Sequence, residues 1–145
     1  MILSAQQIFS DDQAVTATAI STNVIDLGVA GTPYGAAAAL NNDKGKGNKI
    51  PILCQVTTDF ATLTSLTITV EVSAAAGLTT PTVLFTQTIA VADLVAGKQI
   101  SIDVLPNDAT LRYLGVRYTV TGSNATAGNI TAGISMGNQT NTTGA

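Results

Sequence analysis

Between Leu66 and Val72 the chain alternates without a break: Leu66, Ile68, Val70 and Val72 share one face of an extended backbone, and Thr67, Thr69 and Glu71 share the other. A helix would scatter these residues around its circumference, because its side chains repeat every 3.6 residues rather than every two. The segment therefore predicts a strand with one buried and one solvated face. The rule recurs along the chain. Ile50, Ile52, Cys54 and Val56 share a face over residues 50–56, and Ile100, Ile102 and Val104 oppose Ser101 and Asp103 over residues 99–105. Leu114, Val116, Tyr118 and Val120 alternate with Tyr113, Gly115, Arg117 and Thr119; Ile130, Ala132, Ile134 and Met136 alternate with Thr131, Gly133 and Ser135. Between these last two runs, Gly122–Gly128 is rich in turn formers and predicts a connection between neighbouring strands.

Weaker runs at 14–20, 23–27 and 82–89 bring the expected number of strands to about eight. Thr supplies 23 of the 145 residues, Glu occurs once, and the only helix-like stretch is Ala92–Ala96, stopped by Gly97 and long enough for a single turn. Short strands separated by turn signals predict an all-β fold, a jelly-roll-like antiparallel β-sandwich, and the length suits a single domain over 1–145. Three stretches fall outside the alternation. Met1–Ser10 reads either as an arm that adds a strand to a neighbour's sheet or as the first strand of the chain's own sheet. Residues 28–48 read as a long loop, and residues 137–145 as a flexible polar tail.

Composition removes most chemistry. The chain has no histidine, so Ser-His-Asp and Cys-His nucleophile systems are closed and the commonest transition-metal ligand is missing. Cys54 is the only cysteine and lies in an apolar run, which predicts a small buried hydrophobe. The eight aspartates leave room for a carboxylate pair, but Asp11, Asp12, Asp43, Asp59 and Asp108 fall in stretches that read as turns, and Asp103 on the solvent face of its strand. A loop-built calcium site using Asp11, Asp12 or Asp26 is the one metal alternative, and no cofactor is expected. Gly45-Lys46-Gly47 lacks the spacing of a phosphate loop. Charged residues make up 10% of the chain and the net charge is −3, with no basic stripe to neutralise phosphates, so nucleic acid is not an expected partner. No apolar run approaches the roughly 18 residues needed to cross a bilayer, and residues 1–10 do not read as a signal peptide, so synthesis in the cytoplasm and no membrane partner are expected. The reading that remains is a binding protein, not an enzyme.

Two blocks carry a family resemblance. Phe9-Ser10-Asp11-Asp12-Gln13-Ala14-Val15-Thr16-Ala17-Thr18-Ala19-Ile20-Ser21-Thr22-Asn23-Val24-Ile25-Asp26-Leu27-Gly28 resembles the start of the jelly-roll capsid cement (decoration) proteins of tailed bacteriophages, of the Bordetella-phage type. Leu94–Ile100, Leu105-Pro106, Arg112–Gly122 and Thr126–Gly133 resemble that family's C-terminal half in the same order. The resemblance implies a protein on the capsid exterior that bridges major capsid protein subunits and has no catalytic residues; self-assembly is expected with it, and a dimer and a trimer both suit a lattice of two-fold and three-fold joints. A carbohydrate-binding or tail-associated adhesion module is the alternative. Candidate interface residues are Ile2, Leu3, Ile8 and Phe9 in the N-terminal stretch, Tyr34 in the long loop, and Tyr113 and Arg117, which project from one face of a strand and belong to residue types favoured at interfaces.

Overall fold

The computed structural model describes residues 3–40, 50–103 and 110–136. Its strands are β1 (Leu3–Ala14), β2 (Ala19–Ile20), β3 (Ile25–Asp26), β4 (Ile52–Ser73), β5 (Thr82–Ala90), β6 (Gln99–Ile102) and β7 (Tyr113–Ser135). All pairings are antiparallel, in one sheet with the order β1-β7-β4-β5; β2 and β3 also pair with β7, and β6 with β4. The all-β antiparallel class expected from the alternation is what the chain adopts. The helix-like stretch is one 3-10 turn, at Val91–Asp93.

Two of these strands are unusually long. β4 has 22 residues and β7 has 23; at about 3.3 Å per residue each would span roughly 70 Å if straight, several times an ordinary strand. They bend instead. The register between them shifts four times from Val56 to Ser65, and beyond the bend each strand lies in a second leaf. In one leaf, Ile52–Gln55 pairs with β6 and with the C-terminal half of β7, which also carries β1. In the other, Ser65–Val72 pairs with β5 and with the N-terminal half of β7, which also carries β2 and β3. The leaves close on a single buried cluster, with Phe9, Ile52, Cys54, Val56, Ile100 and Ile130 from the first and Leu66, Ile68, Val70, Leu114, Val116 and Tyr118 from the second. The sandwich is one sheet creased across its middle.

The crease corrects several expectations. Runs 50–56 and 66–72 are one strand, as are 113–120 and 130–136; the last two are halves of β7 in opposite leaves, not neighbours. The residues between them do not form a connecting turn, because Ala127 and Gly122 still pair with Ala61 and Leu63 while the backbone turns the corner. Gly122 and Gly128 have φ of 89° and 139°, and a Cβ on Gly128 would stand 2.2 Å from the Phe60 ring. On the β4 side Thr62 holds φ of 75°, unusual for a β-branched residue. Its hydroxyl donates to the Asn124 carbonyl (2.7 Å) and accepts from the Thr126 N–H (3.1 Å), which ties the two bends together. Asp11, Asp12 and Asp59 also lie in strands rather than turns: Asp12 sits in a bulged part of β1 at φ of 47°, and Asp59 at the bend of β4 accepts from the Ala96 N–H.

Leu3–Ser10 belongs to β1 of the chain's own sheet, so the arm reading gives way to the first-strand reading for these residues. Phe9 is fully buried, and the buried Tyr118 hydroxyl meets Ser10 Oγ at 2.8 Å across the leaves. Ser10 Oγ donates to Gln13 Oε1 (2.7 Å), so the Tyr118 hydroxyl is the donor of the pair. Burial pushes the Tyr118 phenol well above its usual range, which keeps that proton in place. The runs at 14–20 and 23–27 shrink to the two-residue strands β2 and β3. Residues 28–40 form no strand, and the rest of the expected long loop, like the 137–145 tail, lies outside the described residues.

Gly128→Ala combines a positive φ that side chains avoid with a collision against Phe60. It is expected to cost about 3 kcal/mol, read as a lower urea midpoint, whereas Gly31→Ala, where a Cβ meets nothing within 4 Å, leaves the midpoint unchanged.

Candidate functional site

The surface that stands out is the segment that follows β3. From Val29 to Leu40 every residue is exposed and none is charged, and the run Val29-Ala30-Gly31-Thr32-Pro33-Tyr34-Gly35-Ala36-Ala37-Ala38-Ala39-Leu40 is mostly apolar. Val29, Tyr34 and Leu40 account for half of the six large hydrophobic side chains exposed among the described residues. The loop is shaped, not trailing: Leu40 N–H donates to the Gly31 carbonyl (3.0 Å), and Ala36 N–H to the Pro33 carbonyl (3.0 Å). The second bond closes a turn with Tyr34 and Gly35 at its centre, and the φ of 79° at Gly35 is what the third position of a type II turn demands. Tyr34 therefore projects from the tip, fully exposed.

The base of the loop is fixed by charge. Arg112 forks onto Asp26, with Nε to Oδ1 and Nη2 to Oδ2 both at 2.7 Å, and the Gly28 N–H donates to the same Oδ1 at 2.9 Å. The Leu27 N–H donates to the Arg112 carbonyl, so entry to the loop is held by side chain and backbone together. The hydrogen bonds from Arg112 and then from Gly28 hold the Asp26 carboxyl at about 2, below its usual 3.8, and the same pairing raises the Arg112 guanidinium. This group's folded value lies below its unfolded one, so its contribution is complete above about pH 4 and is lost as the pH falls toward 2.

The strand-face pair expected at Tyr113 and Arg117 is built differently. Arg117 Nε lies 3.0 Å from both carboxylate oxygens of Glu71, the only glutamate in the chain, and its Nη2 donates to the Leu78 carbonyl at 2.8 Å. Glu71 is buried because the 74–81 connection folds back over the outer face of the sheet, seating Leu78 there. Gly115 makes room, since a Cβ on it would stand 2.8 Å from Leu78 Cδ1. Ser73 Oγ adds a bond to the Thr79 carbonyl. Arg117 is thus a clamp inside the chain and not a free interface residue. Tyr113 is half-buried with the Arg112 guanidinium 5.0 Å from its ring centre. Sequence alternation placed Glu71 and Arg117 on solvated faces and could not show that a loop covers them; Glu71 being the lone glutamate, on a strand facing an arginine-bearing one, is the signal that was present.

Of the remaining candidates, Ile2 lies outside the described residues, Leu3 and Ile8 are half-buried on β1, and Phe9 belongs to the core rather than to a surface. Val29 and Leu40 were not singled out, although they flank Tyr34 in the same uncharged run. Cys54 is fully buried, which pushes its thiol up to about 12. No group of three acidic, histidine or cysteine side chains comes together among the described residues; Asp12 is instead bonded to Thr57 and Asp26 to Arg112.

Removing a cation from each ion pair separates their roles. Arg117→Met strands the buried Glu71 carboxylate and is expected to cost about 3 kcal/mol in urea unfolding. Arg112→Met opens a pair exposed on both sides and barely moves the midpoint, but it returns the Asp26 carboxyl toward 3.8 in an NMR titration.

Comparison with known proteins places this arrangement. No curated protein matches the chain. The family described as Bbp16, which bears the name of a Bordetella-phage protein, matches residues 9–134, a span from the first buried residue of β1 to the last residue but one of β7 that takes in the crease, the apolar loop and both ion pairs. The chain belongs to the Bbp16 family of phage proteins.

Proposed function

We propose that this protein is a capsid cement protein that binds the outer surface of a phage head, bridges neighbouring major capsid subunits and stabilises the shell. The observation that carries the reading is the anchored Val29–Leu40 loop: an exposed, uncharged, apolar segment on a rigid sheet, in a member of a phage-protein family. Apolar surface left open on a folded domain marks a contact site. Its small side chains have little conformational entropy to lose on docking, and the turn at Tyr34 is formed in advance.

Binding is the whole activity in this reading. The chain has no histidine and its thiol is buried, so it acts by contact area and valency and not by chemistry. Several linked contacts on a capsid lattice raise effective affinity by roughly 10²–10⁴ over a single one. The carbohydrate-binding alternative has weaker support, since sugar sites stack on exposed aromatics. Tyr118, Phe9 and Phe60 are buried, Phe85 is half-buried and Tyr113 lies beneath Arg112, which leaves Tyr34 as the exposed ring.

Purified protein mixed with phage heads that lack it is expected to co-sediment at a saturating copy number and to raise the heat resistance of the heads. Val29→Ser with Tyr34→Ser, both on the exposed loop and outside the core, is expected to weaken loading at least tenfold while the isolated domain melts as before. Heads that bind no protein, or that bind the double variant equally well, overturn the reading.

A further inference from the structure

The Val29–Leu40 loop is bonded to itself and not to the sheet. Its backbone hydrogen bonds, from Leu40 N–H to the Gly31 carbonyl and from Ala36 N–H to the Pro33 carbonyl, give it a shape without giving it a direction. No residue from 29 to 40 is buried or packed on the core, and the last side chain before it that does pack there is Leu27. The direction in which the loop leaves the sheet is therefore set at Gly28, which holds φ of 83° and where a Cβ would meet nothing within 4 Å. Glycine takes up either sign of φ about equally well, so this residue by itself is a swivel.

The Asp26–Arg112 fork locks it. Asp26 Oδ1 accepts from the Gly28 N–H (2.9 Å) and from Arg112 Nε (2.7 Å), while Oδ2 accepts from Arg112 Nη2 (2.7 Å). One carboxylate thus ties the peptide plane at the swivel to a guanidinium whose own backbone carbonyl takes the Leu27 N–H. Tyr113, the next residue, pairs with Asp26 in the β3–β7 ladder and has its ring beneath the guanidinium. A two-bond fork fixes the planes of both groups, which a point charge such as an ammonium does not. The side chains of the pair are 40% and 44% exposed, so the fork adds little to folding stability. Its geometry serves aim.

We propose that Arg112 and Asp26 are positioning residues of the head contact: they lock the Gly28 swivel and hold the Val29–Leu40 loop in its docking direction, without touching the partner themselves. The inference rests on the cement reading for what the loop binds, and on the chain's own geometry for how the loop is aimed. A loop released at its base has to give up its new freedom each time it docks, so the loss falls on head loading and not on folding.

Amide relaxation measured by NMR on the full chain needs no heads. In Arg112→Met the amides from Val29 to Leu40 are expected to gain large-amplitude motion, while those of β4 and β7 keep their wild-type values. Loading onto phage heads that lack the protein is expected to weaken by roughly fivefold or more in Arg112→Met, and as much in Arg112→Lys, which keeps the charge but cannot fork; plain attraction of a cation to the head would be restored by the lysine. Gly28→Ala, strained at its positive φ but free of any clash, redirects the loop with both charges in place and is expected to lower loading in the same way. Unchanged loop relaxation in Arg112→Met, full loading by Arg112→Met or by Gly28→Ala, or recovery in Arg112→Lys overturns the proposal. Wild-type protein that ignores heads would sink the cement reading instead, and the relaxation measurement would still decide whether the fork aims the loop.

Discussion

β4 and β7 remain hydrogen-bonded to each other through their bends, and every other strand among the described residues is attached to one half or the other of that pair. Breaking a ladder in an apolar interior would strand backbone N–H and C=O groups at a cost of about 1–3 kcal/mol each. The bends keep most of those bonds by spending conformational freedom elsewhere: positive φ at Gly122, Gly128 and Thr62, and register shifts along β4. Phe60 fills the inside of the corner against Gly128, so the same two residues shape the bend and seal the core at that end.

Once the sheet is creased, its leaves are brought into register by polar contacts as well as by apolar packing. Tyr118 reaches Ser10 across the core, and Gln13 passes the network on to the Ile20 carbonyl and the Thr22 N–H. In a low-dielectric interior a satisfied network of this kind favours one alignment over its neighbours, because any slip leaves a buried hydroxyl without a partner. On the outside of the second leaf, Glu71 and Arg117 do similar work for the 74–81 connection.

The proposed adhesion follows from this rigidity. A sheet held at crease, core and clamp can present the Val29–Leu40 loop in a fixed place, with the Asp26–Arg112 fork at its base. The loop bears no charge, and charges of both signs are engaged within the chain, as the two arginines among the described residues are. Adhesion in this reading depends on shape and apolar area, and it is insensitive to salt where a charged patch would not be.

The sequence by itself determined the class of the fold. Period-two alternation at 50–56, 66–72, 82–89, 99–105, 113–120 and 130–136 marks strands, and the absence of histidine closes the histidine-dependent nucleophile systems; both are local facts, readable without knowing what lies opposite. Alternation also gave the inward residues Leu66, Ile68, Val70, Leu114, Val116 and Tyr118, all buried. What it could not give was connectivity through the corners, because a glycine-rich stretch looks the same in a turn and in a bent strand, and only the pairing of Ala61 with Ala127 and Leu63 with Gly122 tells them apart. Nor could it tell that Phe9 is core or that Arg117 is spoken for by Glu71. Those are statements about which segments meet, and contacts between residues tens of positions apart are decided by the closing of the sheet rather than by any residue's immediate neighbours.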